Sequence, residues 1–263
     1  MYEKYWGFKE KPFENVCNLK YFFKSESHIE AISRMTYTVK ERKGAMVLTG
    51  DYGTGKTLTL RWFIENTEEI KFLFIDYPEG NPENFMKQIL ISAGEEIEEK
   101  DRFLLSQKIK ELILKNTEEG INTVMIIDEA QTLEDPLFEV IKILLNLRET
   151  FSADFSVILS GSEKLIHKIK QNEQLLQRIP VYFHLTALSY EETVRYIDYR
   201  LEVAGGDTDI FDETAKKKIY ELSKGIPRKI NNLCDTALLI GFGKKEKKIN
   251  NKIIELAERE ILP

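Results

Sequence analysis

The sequence holds 263 residues, of which 42% are hydrophobic and 31% charged. That excludes a mainly disordered chain and allows one large domain or two small ones. The net charge of −6 argues against a surface built for bulk phosphate-backbone binding, while leaving room for a local basic face.

The opening Met1-Tyr2-Glu3-Lys4-Tyr5-Trp6 lacks the apolar core of a signal peptide. The longest apolar runs, such as Val124 to Ile127 and Ala237 to Ile240, fall far short of the roughly 20 residues that span a bilayer. No membrane span and a cytoplasmic location are expected. Cys17 and Cys234 are distant in sequence, and His28, His167 and His184 have no ligand spacing with them, so neither a disulfide framework nor a zinc site is expected.

In chain order, Ala45 to Thr49, Phe72 to Asp76, Thr123 to Ile127, Ser156 to Ser160 and Val181 to Leu185 are short apolar runs. Such runs suit strands of a parallel sheet covered on both faces. Between them, Lys56 to Asn66, Asn81 to Ala93, Phe103 to Asn116 and Pro136 to Phe151 read as helices, an alternation that predicts an α/β domain. Beyond about Thr186 no strand is evident. Ser189 followed by Glu192 is a capping-box signal for a helix reaching Ala204. Asp212 to Ser223, Pro227 to Phe242 and Asn250 to Ile261 read as three more helices. The expected division is an α/β nucleotide-binding domain over 1–187, with the aromatic arm Tyr2, Tyr5, Trp6, Phe8 and Phe13, and an all-helical domain over 188–263.

Gly50-Asp51-Tyr52-Gly53-Thr54-Gly55-Lys56-Thr57 fits GxxxxGK[ST] between a strand and a helix. Glycines let the backbone wrap phosphates, and N–H groups at the helix start point inward, so Gly50 through Leu58 form the expected phosphate cradle. Lys56 is expected on the β- and γ-phosphates and the Thr57 hydroxyl on Mg²⁺. Downstream, Val124-Met125-Ile126-Ile127-Asp128-Glu129 describes a buried strand ending in two carboxylates. Asp128, emerging at the strand's carboxyl end beside the P-loop, is expected in the Mg²⁺ shell, and Glu129 polarises the attacking water. Paired acids point to hydrolysis rather than simple nucleotide holding.

Ser160 and Ser162 flank the end of the fourth strand, either as γ-phosphate contacts or as an ordinary turn. Arg178 and Arg228 suit charge stabilisation on a transferring phosphoryl group, and equally suit solvated ion pairs. Arg200 either reaches a neighbouring protomer's nucleotide or makes a surface ion pair. The aromatic arm either contacts adenine or a neighbouring subunit, or packs over the core. Cys234 reads as a core residue. The basic runs Lys216-Lys217-Lys218 and Lys244-Lys245-Glu246-Lys247-Lys248, with Lys252, either meet phosphates or are solvated.

The P-loop, Ile126-Ile127-Asp128-Glu129-Ala130-Gln131, Gln177-Arg178-Ile179, Glu191-Glu192-Thr193, and Gly225-Ile226-Pro227-Arg228-Lys229-Ile230-Asn231 follow in order. With Asn232-Leu233-Cys234-Asp235, Ser27-His28-Ile29-Glu30-Ala31 and the opening Tyr5-Trp6-Gly7-Phe8…Pro12-Phe13, they resemble the ExeA / general secretion pathway protein A group of AAA+ ATPases over roughly residues 2 to 260. The resemblance implies a P-loop sheet of five parallel strands with an additional-strand order, followed by a helical lid. It implies ATP or ADP with Mg²⁺, homo-oligomeric rings or filaments, and a protein partner in a secretion or envelope-assembly system. Arg178 takes the position of an arginine finger acting on a neighbour's ATP, and Arg228 that of sensor 2. Where the group carries Gln, this chain has Ser162, a shorter reach for sensor 1. The same core also resembles transposition helper ATPases of the TniB, TnsC and MuB type, which implies double-stranded DNA as an alternative partner.

Overall fold

The computed structural model describes residues 1–261. In chain order the elements are α1 (Tyr2–Trp6), α2 (Glu26–Lys40), β1 (Ala45–Gly50), α3 (Lys56–Glu65), β2 (Ile70–Ile75), α4 (Pro82–Ser92), α5 (Arg102–Glu118) and β3 (Asn122–Ile127). They continue with α6 (Asp135–Phe151), β4 (Phe155–Gly161), α7 (Lys164–Lys170), α8 (Glu173–Leu176) and β5 (Val181–Leu185). The last four helices are α9 (Tyr190–Val203), α10 (Glu213–Ser223), α11 (Pro227–Lys244) and α12 (Asn251–Glu260).

Two compact units result. One comprises His28–Asp51 and Thr59–Leu185; the other comprises Met1–Ser27, Tyr52–Leu58 and the chain from Thr186 onward. The first is an α/β unit whose five strands are all parallel in the order β2-β3-β4-β1-β5. The strands in the middle of the sheet, β3, β4 and β1, are buried along nearly their whole length, which explains their unbroken apolar runs. The edge strands β2 and β5 are only partly buried. β4 lies between β1 and β3, the additional-strand order that the resemblance implies. Polar side chains tie β5 to the end of β1: Thr49 Oγ1 lies 3.0 Å from Tyr182 Oη and 3.0 Å from His184 Nδ1.

The second unit is helical. α9 starts with the expected capping box, Ser189 Oγ accepting from Glu192 N at 3.1 Å and Glu192 Oε2 from Ser189 N at 3.0 Å. Asp212 and Asn250 cap α10 and α12, and Pro227 opens α11. The aromatic arm, expected with the α/β domain, shares the core of this helical unit. Tyr2, Trp6, Phe8 and Phe13 are buried with Ile197, Leu201, Leu233, Cys234, Leu238 and Ile254. Tyr5 remains partly exposed. The indole N–H of Trp6 donates to Leu238 O at 3.0 Å, so burial of the ring leaves no stranded donor. Phe8 fills the space over Gly206, where any Cβ would come within 2.1 Å of the ring.

Candidate functional site

The phosphate loop is built by two glycines. Gly50 ends β1, and Gly53 and Gly55 take φ of 85° and 103°, a region that L side chains enter only with strain. These turns bring the chain round to α3, which starts at Lys56. Thr54 and Lys56 are buried; Asp51, Tyr52 and Thr57 are exposed, and Leu58 is half-buried. The Lys56 ammonium lies 5.8 Å from the centre of the Tyr52 ring. From the helical unit, Arg228 N donates to Gly53 O at 3.3 Å. A Cβ at Gly53 would lie 2.7 Å from the Arg228 Cβ. The start of α11 therefore touches the loop's backbone, while the Arg228 side chain is exposed.

In the α/β unit the two carboxylates leave β3 in different directions. Asp128 is 2% exposed. Its Oδ1 accepts from the Ser160 hydroxyl at 2.8 Å and from Glu129 N at 3.0 Å. Glu129 sits at φ 50°, in the left-handed region, and is half-buried. Its Oε2 accepts from Gln131 Nε2. Gln131 Oε1 in turn accepts from Ser162 N at 2.9 Å. The Ser162 hydroxyl is buried with no hydrogen-bond partner among the described residues. An orphaned hydroxyl at this depth is uncommon and suits a ligand oxygen or a water. Ser160 and Ser162 thus differ: one supports Asp128, the other carries a donor with nothing to meet.

The donor set fits a hard cation. Thr57 offers a hydroxyl and Asp128 a carboxylate, both oxygen ligands of the kind Mg²⁺ takes alongside water and substrate phosphates. Among the described residues no group of three His, Cys, Asp or Glu side chains is arranged to hold a metal by itself.

The arginines and lysines separate sharply. The Arg178 fork is engaged inside its own chain, Nε and Nη2 reaching Asn146 Oδ1 at 3.1 and 2.7 Å and Nη1 reaching Gln174 O at 2.9 Å. Arg200 is neither a surface ion pair nor free to reach outward, contrary to both expectations. It is 6% exposed and donates to Pro12 O, Glu14 O and Tyr196 Oη. Lys216 is also buried, paired with Asp198 at 2.7 Å, and Lys218 lies 3.9 Å from Glu255. The first lysine run is therefore largely neutralised. In the second, Lys244, Lys245, Lys247 and Lys248 are exposed, and among the described residues only Lys248 forms an ion pair, with Asp209 at 3.9 Å. Cys234 is buried, as expected, and burial pushes its thiol pKa up.

Gln131 and Asn146 escaped individual notice in the sequence. Gln131 lies in a short turn after β3, where no period marks a face, and Asn146 meets Arg178 across 32 residues. The visible signal for Gln131 was only an amide two residues beyond a carboxylate.

Residues 39–169 match the AAA domain family. General secretion pathway protein A of Aeromonas hydrophila is 34% identical over 271 aligned residues, which cover 99% of this chain and 48% of that protein. The chain thus spans about half the length of this curated relative. The crystal structure of Cdc6p from Pyrobaculum aerophilum superposes with a TM-score of 0.74 at 13% identity, covering 95% of this chain and 70% of that one. A Drosophila ORC bound to DNA gives a TM-score of 0.69 at 16% identity, covering 94% of this chain and 63% of that one. These two likenesses establish the shared fold. No helix among the described residues is long and apolar enough to cross a membrane.

Proposed function

The chain belongs to the AAA+ P-loop ATPases, in the group of general secretion pathway protein A, and we propose that it hydrolyses ATP to drive its own assembly and remodel a protein partner in a secretion or envelope-assembly system. The observation that carries this reading is the pair of carboxylates after β3, each held by a separate hydrogen bond, downstream of a complete phosphate loop. In this reading the α/β fold and the helices after Leu185 act as nucleotide-binding domain and lid, the arm of residues 1–27 belonging with the helices, and the work is done in the cytoplasm, where ATP is available.

The proposed chemistry is in-line attack of water on the γ-phosphate. Backbone N–H groups of Gly53 through Thr57 hold the β- and γ-oxygens, and Lys56 draws off developing negative charge. Thr57 and Asp128 hold Mg²⁺, which when bound neutralises charge on the phosphate oxygens. Glu129 orients the attacking water and accepts its proton. The Ser162 hydroxyl contacts the γ-phosphate or that water, and Arg228 reports from the lid. Arg178 of a neighbouring copy completes the site in trans, which requires its fork to leave Asn146. Gly50, Asp51, Tyr52 and Leu58 complete the cradle.

Glu129→Gln tests the reading directly. This variant should bind ATP as the parent does and lose at least about 100-fold in turnover, the scale on which a lost general base registers. Normal turnover in that variant removes the assigned role.

A second reading, an ATP-dependent helper bound to double-stranded DNA, draws on the exposed lysines between α11 and α12. ATP turnover with and without duplex DNA at low salt separates the two. A several-fold rise abolished by salt favours DNA; an unchanged rate favours a protein partner.

A further inference from the structure

We propose that Gln131 is a positioning residue that aims Glu129, and that Gly161 provides the clearance it needs. The inference rests on Glu129 being the group that handles water.

The orientation of the Gln131 amide is fixed by chemistry. Ser162 N is a backbone donor at 2.9 Å, and only the amide oxygen can accept from it. The NH₂ end must then face Glu129, whose Oε2 is a pure acceptor. Both ends are satisfied at once, so the amide is locked rather than one of two flips. Glu129 is constrained from the other side as well. Its backbone at φ 50° and its N–H bond to Asp128 set the direction in which the side chain leaves the main chain. A base held by a third group is the arrangement that prepares it for proton transfer.

The same bond links the two acids to one strand end. Ser160, the penultimate residue of β4, holds Asp128 through its hydroxyl. Ser162, just past that strand, holds Glu129 through Gln131. A displacement of the β4 end would therefore move both carboxylates together, and the unpartnered Ser162 hydroxyl stands at that same end.

Gly161 makes the link possible. A Cβ there would lie 2.4 Å from Gln131 Oε1 and 3.2 Å from Gln131 N. The nearer atom is the tip of a flexible side chain. Gly161→Ala is thus expected to push the amide away from Ser162 N while leaving the strand in place. Gln131→Ala and Gly161→Ala should then have one consequence by two routes.

The experiment measures steady-state ATP turnover, affinity for a non-hydrolysable ATP analogue and the melting temperature for Gln131→Ala, Gly161→Ala and the double variant, with Glu129→Gln alongside. We expect kcat to fall by about 10-fold or more in each single variant, with KM for ATP and analogue affinity unchanged. The double variant should be no worse than either single one. A kcat within twofold of the parent for Gln131→Ala overturns the inference, as does a multiplicative loss in the double variant. Should Gly161→Ala unfold, Gln131→Met, which keeps length and loses both bonds, takes its place and must match Gln131→Ala. Inactive Glu129→Gln beside a normal Gln131→Ala overturns only the positioning role. Active Glu129→Gln overturns the reading of Glu129 itself.

Discussion

Gly53 shows how closely the loop is fitted. Its φ of 85° already costs an L residue about 1–2 kcal/mol, and the Arg228 Cβ would stand 2.7 Å from any added methyl. Gly53→Ala is expected to keep its fold and lose at least 10-fold in ATP affinity, read by equilibrium titration with a fluorescent analogue. Arg178 makes a different kind of statement. Its three bonds lie within its own chain, so replacing it should leave ATP binding by a dilute protein untouched. If it serves a neighbour, turnover of the assembled Arg178→Ala protein should drop by about 10³-fold, the usual worth of an arginine finger. Full turnover by a wild-type monomer that does not self-associate contradicts the trans role. The sequence showed the residues of the P-loop and of the acid pair because their spacing is dictated by phosphate and metal chemistry. It could not show Asn146, or the use Gln131 makes of its amide, because each depends on a contact about thirty residues away along the chain.

The link between α9 and the arm is the most demanding local arrangement in the helical unit. Arg200 is buried beneath Pro12 and Glu14 with the rings of Phe13, Tyr21 and Tyr196 around its guanidinium. Tyr196 in turn donates to Asn231, whose amide donates to Asn15. Arg200→Ala removes the cation and strands the buried Pro12 carbonyl, a cost of about 1–3 kcal/mol. A denaturant titration should show the midpoint fall accordingly, and proteolysis should begin within the arm. A loss below about 0.5 kcal/mol means the arm is held by its aromatics alone. The five strands were legible because each is a short continuous apolar run, and the four lid helices because caps and glycines punctuate them. Helix α2 was not assigned from the sequence: its buried positions, His28, Ala31, Met35, Thr38 and Val39, mix polar and apolar residues and blur the period. The arm's place was hidden for another reason, since Trp6 finds its partner 232 residues away.

The helical unit should weaken in alkali. In the helical unit Tyr2, Tyr21, Tyr196 and Cys234 all have pKa values raised first by burial. Groups with a raised folded-state value leave stability intact below their unfolded values of about 8.5 to 10, and erode it as pH climbs beyond them. Thermal unfolding followed from pH 8 to 11 should therefore show the helical unit losing stability as the pH rises. Native alkylation at pH 8 should modify exposed Cys17 and spare Cys234. The docking of the arm also has a consequence for biosynthesis. Translation delivers Trp6 long before Leu238, a gap of 232 residues. At about 5–20 residues per second that is on the order of 10–50 s, during which the arm's aromatic side chains have no finished groove to enter. The nascent arm is then a natural client for a ribosome-bound chaperone, and the helical unit can close only after α11 has left the ribosome.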